Sequence, residues 1–279
     1  MIKDVLAKHG FSFNKQFGQN FITDANLLSA IVNDAGVTKT DTVIEIGAGA
    51  GTLTKALSDS CRKVISFEID RNLMPVLNET LANSTNVEII IRDVMKTPMA
   101  ELEKIAGGKY RVVANLPYYI TTPIIMNFVE NAQNAVSLTV MVQKEVAERL
   151  AANSGGKDYG AITVAVQSVA DIKVTRIVKR DMFFPSPNVD SAVVRMDFSK
   201  NKYDITNKEF FRKTVKYAFS SRRKQLQNNL SAFFDISKEK AMELIERTGA
   251  DKNARAETLS VEQFVKLANL LYEEERLGQ

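Results

Sequence analysis

From Thr42 to Gln143 short apolar runs alternate with helical periods, and that rhythm confines the chain to one fold class. The runs are TVIEIG (42–47), KVISFEID (63–70), VEIIIRD (87–93), RVVANLP (111–117) and SLTVMVQ (137–143). Between them, LTKALSDS, NLMPVLNETLA and TPIIMNFVENA carry apolar residues three and four apart, the spacing of a helix with one buried face. The runs are rich in Val and Ile and hardly alternate, as expected where both faces of a sheet are covered. The pattern predicts an α/β fold, a mostly parallel sheet with helices on both sides. DIKVTRIV (171–178) and SAVVRMDF (191–198) follow, joined by FFPSPNVD with no helix between them. They predict an antiparallel hairpin ending the sheet, so the last strand is antiparallel.

After Phe198 the strand signal ends. SKNKYDITNKEF is polar and leads to an N-cap at Thr206 or Asn207. Helical patterns follow in FFRKTVKYAF, RRKQLQNNLSAFF, SKEKAMELIERTG and SVEQFVKLANLLYEEE. Ser237 and Ser260 each precede a helical run with a Glu close behind, the pattern of an N-cap. The expected division is residues 1–199 as the sheet domain and 200–279 as a small all-helical domain.

Charge separates the two parts. The chain has 37 Lys+Arg against 33 Asp+Glu, a net +4. Residues 1–199 balance at 21 of each sign, whereas 200–279 hold 16 basic against 12 acidic. Within 200–224 there are 9 basic residues against 2 acidic, ending in Arg222, Arg223 and Lys224. Such a run is either a solvated helix face or a surface for phosphates. A lone Cys61 and a lone His leave no disulfide and no His/Cys cluster for zinc, so no metal site is expected. MIKDVLAKHGF is charged where a signal peptide would be apolar, and no apolar run approaches the roughly 20 residues that span a bilayer. The expected location is the cytoplasm, with no membrane partner.

The first strand run leads into Gly47-Ala48-Gly49-Ala50-Gly51 and then the helical TLTKALS. Glycines there let the backbone turn tightly and approach a ligand, with a helix N-terminus behind. A dinucleotide fingerprint would need Gly where Thr52 stands, which argues against NAD and FAD and for S-adenosylmethionine. Glu68, 21 residues after Gly47, ends the second run and can accept from both ribose hydroxyls. Asp93 ends the third and can accept from the adenine amine of that cofactor. Either acid alone reads first as a solvated strand end, but the three strand ends taken in order reverse that reading and form a ligand crevice.

The fourth run ends in Asn115-Leu116-Pro117-Tyr118. Adenine's exocyclic amine is a poor nucleophile because its lone pair is delocalised into the ring. Donating hydrogen bonds to the Asn115 side-chain oxygen and to a backbone carbonyl, Leu116 or Pro117, draws that nitrogen toward tetrahedral geometry. This localises the lone pair and aims it at the sulfonium methyl. Tyr118 offers a ring on which a flipped-out base can stack. Of the Phe183-Phe184 pair before the prolines, one anchors the loop and the other can clamp the base from its opposite face. HGFSFNKQFGQNF, with Lys15 among Phe11, Phe13, Phe17 and Phe21, reads as a loop over the sheet or as a lid ordered by ligands.

These segments together resemble the ribosomal RNA adenine N6,N6-dimethyltransferase family. The resemblance runs from about Phe11 to the last helices, through GQNF (18–21), EIGAGAG (45–51), NLPY (115–118), FFPSPNVDSAVV (183–194) and FSSRRKQLQNNL (219–230). It implies a Rossmann-like class I S-adenosylmethionine-dependent methyltransferase sheet with a C-terminal helical rRNA-binding domain. It also implies cofactor contacts at Asn20, Ile22, Gly47, Gly49, Glu68, Asp93 and Asn115, with Gln19 helping to close the site. Asn115, Leu116, Pro117 and Tyr118 would form the methyl-transfer site with Phe183, and Arg222, Arg223 and Lys224 would bind RNA. The family often has Pro where Ala48 stands and Leu where Ile22 stands, both mild departures.

The VDS segment and the RRKxLxNNL stretch are the narrower part of the resemblance. They imply a monomer that dimethylates two adjacent adenosines in the 3′-terminal hairpin loop of 16S rRNA, on a late precursor of the 30S subunit. The alternatives are a 23S rRNA adenine methyltransferase of the macrolide-resistance type, a DNA adenine methyltransferase, or a non-catalytic assembly factor. The DNA enzyme would need a target-recognition domain larger than this chain provides. The assembly factor would be marked by a broken glycine loop or a lost Asn115, and both are intact.

Overall fold

The computed structural model describes residues 2–13, 18–198 and 202–277. Lys15 and Phe17 of the N-terminal aromatic stretch lie outside the described residues, as does the junction expected at 199/200. Two compact units emerge, 1–147 with 173–198, and 148–172 with 199–279.

In the first unit α1 (Ile2–Lys8), β1 (Phe21–Ile22) and α2 (Ala25–Asp34) precede the alternating region. There follow β2 (Thr42–Ile46), α3 (Thr52–Ser58), β3 (Lys63–Glu68), α4 (Met74–Thr80), β4 (Val87–Ile91), α5 (Met99–Ala106), β5 (Tyr110–Asn115), α6 (Tyr118–Asn131) and β6 (Ala135–Gln143). After α7 (Lys144–Leu150) and α8 (Ala161–Gln167) come β7 (Ala170–Val178), β8 (Phe183–Phe184) and β9 (Ser191–Phe198). The seven-stranded sheet runs β4-β3-β2-β5-β6-β9-β7. β2 pairs in parallel with β3 and β5, β3 with β4, and β5 with β6, while β9 runs antiparallel to β6. The strand made last thus lies inside the sheet, between β6 and β7, and does not form its edge. All five residues of β2 are buried, as its run of apolar residues requires.

A second, two-stranded sheet was not legible in the sequence. β1 pairs antiparallel with β8, placing Phe21 opposite Phe184 and Ile22 opposite Phe183. It joins GQNF to the Phe/Pro loop.

The second unit holds α8, α9 (Lys208–Ala218), α10 (Leu226–Phe234), α11 (Lys238–Arg247) and α12 (Val261–Leu277). Its boundary corrects the expected division, because residues 148–172 cluster with these helices, the first three residues of β7 among them. Tyr159 and Val164 belong to the same buried cluster as Phe210, Leu230, Leu244 and Phe264. Apolar burial decides the matter, since these side chains find their core among the helices. Asn207 is the N-cap of α9, accepting from the Phe210 N–H at 2.9 Å, and Ser237 caps α11 through the Lys240 N–H at 3.1 Å. Ser260 accepts from the Gln263 N–H at 3.2 Å while Gln263 Oε1 accepts from the Ser260 N–H at 2.9 Å, a reciprocal cap built with Gln263 and not a Glu. Among the described residues no helix is long and apolar enough to cross a membrane.

Candidate active site

The carboxyl ends of β2 to β5 surround a cavity of about 330 Å³, lined by GQNF, the glycine loop, Glu68, Asp93 and NLPY. Ligands in open α/β sheets lie in this crevice. Gly47, Gly49 and Gly51 all have left-handed backbones, at φ 82°, 55° and 82°. A Cβ on Gly49 would come within 2.9 Å of the Phe21 ring. Beside Gly47 the nearest atom to such a Cβ is the Asn115 carbonyl at 3.9 Å, so the space there is open and belongs to the cavity. A glycine that leaves room for a ligand fits S-adenosylmethionine, and so do the acceptors around it.

Glu68 is almost fully buried at the end of β3. Its Oε1 accepts from the Ile69 and Asp70 N–H groups, each at 2.8 Å, and its Oε2 accepts from the Gly49 N–H at 2.8 Å. Burial raises the carboxyl above its ordinary range, against the pull of those three bonds. A carboxylate has about four acceptor positions. The backbone takes three, and one on Oε2 stays open for a hydroxyl. Asp70 accepts from Gln19 Nε2 at 2.9 Å, which ties GQNF to the same corner. Asp93 stands just beyond β4; its Oδ1 accepts from the Met95 N–H at 2.9 Å and its second oxygen is left as an acceptor. Asn20 is held by its own loop, Nδ2 donating to the Gly18 carbonyl at 3.1 Å. The Ile22 side chain is buried in the core, and its carbonyl accepts from Thr52 Oγ1 at 3.0 Å, so it shapes the cavity wall from within.

Asn115 ends β5 with its amide fixed. Nδ2 donates to the Asn20 carbonyl at 2.9 Å, and a flipped amide would set two oxygens against each other. Oδ1 is therefore the free acceptor. Leu116 is buried, and Pro117 precedes the first residue of α6, so Tyr118 and Tyr119 begin that helix at the cavity. Tyr118 Oη lies 2.7 Å from Ser191 Oγ, and burial keeps its phenol protonated by raising its pKa. Phe183 lines the cavity. Phe184 packs edge-on against Phe13 at 5.4 Å and lies 4.4 Å beneath Lys3 Nζ. The two Phe residues thus divide into a cavity wall and a loop anchor. Phe11, Phe13 and Phe21 complete that aromatic cluster.

Arg222, Arg223 and Lys224 belong to the second unit. They stand in a turn before α10, not on the helix that the periodicity predicts. Asn229 Nδ2 staples the turn by donating to the Ala218 and Ser221 carbonyls at 2.8 and 3.3 Å. All three basic side chains are exposed, and the Arg222 guanidinium donates to the Lys157 carbonyl.

One residue that sequence reasoning missed is Glu45, fully buried in β2. Its Oε2 accepts from Thr54 Oγ1 and Ser66 Oγ, both at 2.6 Å, while Oε1 has no partner. Burial pushes its carboxyl up to about 8. An acid within the apolar TVIEI run was the available signal.

A family model described as ribosomal RNA adenine dimethylase matches residues 10–273. The chain belongs to the ribosomal RNA adenine dimethylase family. Among its relatives, the ribosomal RNA small subunit methyltransferase A of Clostridioides difficile strain 630 is 44% identical over 272 residues, 96% of this chain and 94% of that protein. The protein of the same description from Enterococcus faecalis V583 is 42% identical over 276 residues, 96% of this chain and 94% of that one. Among solved structures, a dimethyladenosine transferase from Plasmodium falciparum superposes with a TM-score of 0.79 at 25% identity, covering 92% of this chain and 98% of that one. The 23S rRNA methyltransferase ErmE gives 0.71 at 25% identity, covering 90% and 99%. As a member of the ribosomal RNA adenine dimethylase family, the chain is an S-adenosylmethionine-dependent methyltransferase with the class I sheet that its strand order displays.

Proposed function

We propose that this family member transfers methyl groups to the N6 amines of two adjacent adenosines in the 3′-terminal hairpin loop of 16S rRNA. It does so as a cytoplasmic monomer acting on a late precursor of the 30S subunit. The observation that carries the chemistry is the locked amide of Asn115, whose Oδ1 is the free acceptor beside Pro117 and Tyr118. S-adenosylmethionine, when bound, supplies the electrophilic methyl. Glu68 holds one ribose hydroxyl and Asp93 the adenine, and Gly47, Gly49, Asn20 and Ile22 shape its space. With three acceptor positions of Glu68 already filled, we assign it one ribose hydroxyl where the sequence reading assigned both.

Asn115 Oδ1 and a carbonyl of Leu116 or Pro117 accept from the target amine and draw its lone pair out of the ring plane. With the cofactor bound, the new N–C bond would form as the S–CH3 bond breaks with its electron pair left on sulfur, and the amine would then give its proton to water, so no strong base is needed. Tyr118 and Phe183 stack on the flipped base. In the helical unit, Arg223 and Lys224 meet rRNA phosphates, joined by whatever part of Arg222 its bond to Lys157 leaves available.

The test is labelled methyl transfer to purified, unmodified 30S and 50S particles, with Asn115→Ala beside wild type. Label in 30S that Asn115→Ala abolishes is expected. Label only in 50S would replace this reading with the macrolide-resistance chemistry, and none in either particle would leave an assembly factor.

A further inference from the structure

Val189-Asp190-Ser191 is among the most specific stretches of the sequence, yet stacking on Phe183 uses none of it. Asp190 has a clear structural task. Its carboxylate accepts from Lys179 Nζ at 3.0 Å and the Arg180 N–H at 3.1 Å, and its carbonyl accepts from the Lys144 N–H at 3.1 Å. The two ends of the Phe/Pro loop are thereby tied to each other and to the end of β6. Ser191, next in the chain, begins β9 opposite Gln143 and is fully buried. A buried serine anchored by β pairing on one side and by Asp190 on the other has little freedom. Its hydroxyl reaches across to NLPY, 2.7 Å from Tyr118 Oη.

We infer that Ser191 is a positioning residue for methyl transfer, holding the Tyr118 ring at the place where the target adenine stacks. The inference rests on the reading above, in which Tyr118 is the stacking surface. A tyrosine side chain swings about its Cα–Cβ bond, and a hydrogen bond at Oη, the end farthest from that bond, removes most of the swing. A phenylalanine in its place would pack as well but would leave Ser191 Oγ buried without a partner, which is costly. Tyr118 stays a neutral phenol through burial, so the link is between two hydroxyls and does not break across the physiological pH range. The consequence falls on the chemical step. The cofactor is held elsewhere, by Glu68 and the glycine loop, whereas the place of the target amine depends on where the ring beneath it sits.

The test is a double-variant cycle of wild type, Ser191→Ala, Tyr118→Phe and the pair together. It is read by single-turnover transfer to unmodified 30S particles, cofactor affinity by calorimetry, and Tm. Ser191→Ala should slow transfer about three- to tenfold, the worth of one hydrogen bond, with cofactor affinity within about twofold of wild type. In the Tyr118→Phe background it should slow transfer by less than about twofold, because its partner is already gone. An unchanged rate in Ser191→Ala, or an equal loss in both backgrounds, overturns the inference. Tyr118→Ala separates the two levels: it should lose at least about tenfold if the ring stacks on the base. If it keeps the full rate, the stacking reading itself fails. If Tyr118→Ala is slow but the cycle shows no coupling, the role of Ser191 alone fails.

Discussion

Replacing Glu45 by Gln should flatten the dependence of stability on pH. Glu45 is fully buried, its carboxylate is met by two hydroxyls on one oxygen and by nothing on the other, and burial pushes its pKa up to about 8. In the unfolded chain the same group titrates near the ordinary glutamate value of about 4.3. Between those values the folded protein holds a proton that the unfolded chain has released. Raising the pH therefore favours unfolding, by at most about 1.4 kcal/mol per pH unit. Across the whole window the loss is about 5 kcal/mol, complete only above pH 8. From pH 6 to pH 8.5 the share due to Glu45 is about 3 kcal/mol. Glutamine keeps the shape and an acceptor for Thr54 and Ser66 and has nothing to titrate. Urea unfolding of both proteins at pH 6 and 8.5 gives four free energies. The variant should gain about 3 kcal/mol on wild type between the two pH values, whatever its offset at pH 6. Parallel pH dependences would mean that Glu45 titrates normally, and the reasoning would be refuted.

Glu68→Ala should weaken S-adenosylmethionine binding at least about tenfold and leave RNA affinity within about twofold, since it strands three loop N–H groups beside the cofactor space; an equal fall in both would show the site to be misassigned. Replacing Arg223 and Lys224 by Ala should lower RNA affinity and reduce the slope of log affinity against log salt by about 1 to 2. An unchanged slope there would make the basic turn structural. Arg222→Ala should also lower Tm, because its guanidinium holds the Lys157 carbonyl. Phe183→Ala should slow methyl transfer far more than Phe184→Ala, while Phe184→Ala should lower Tm through the Phe13 cluster; the reverse order would exchange the roles of the two rings.

The parts of the site legible in the sequence are those set by local rules. Strand runs end where loops begin, so Glu68 and Asn115, the last residues of β3 and β5, and Asp93 just past β4 fall on one edge of the sheet from chain order alone. Periodicity also separated the helices from the strands. What it could not show depends on partners distant in sequence. Tyr159 and Val164 look like a continuation of the sheet region, but they find their apolar neighbours near residues 210–264. Arg222 to Lys224 have good helix propensity, yet Asn229 bonds the carbonyls before them and holds a turn instead. The β1–β8 pair has two residues on each side, too short for any alternation to register. The amide orientation of Asn115 depends on a backbone carbonyl 95 residues away.

The most direct measurement is labelled methyl transfer to 30S particles lacking the modification, followed by mapping of the modified nucleotides. Dimethylation of two adjacent adenosines in the 3′-terminal hairpin loop of 16S rRNA is the expected result. Label at other adenosines, or none in 16S rRNA while 23S rRNA is modified, would contradict it.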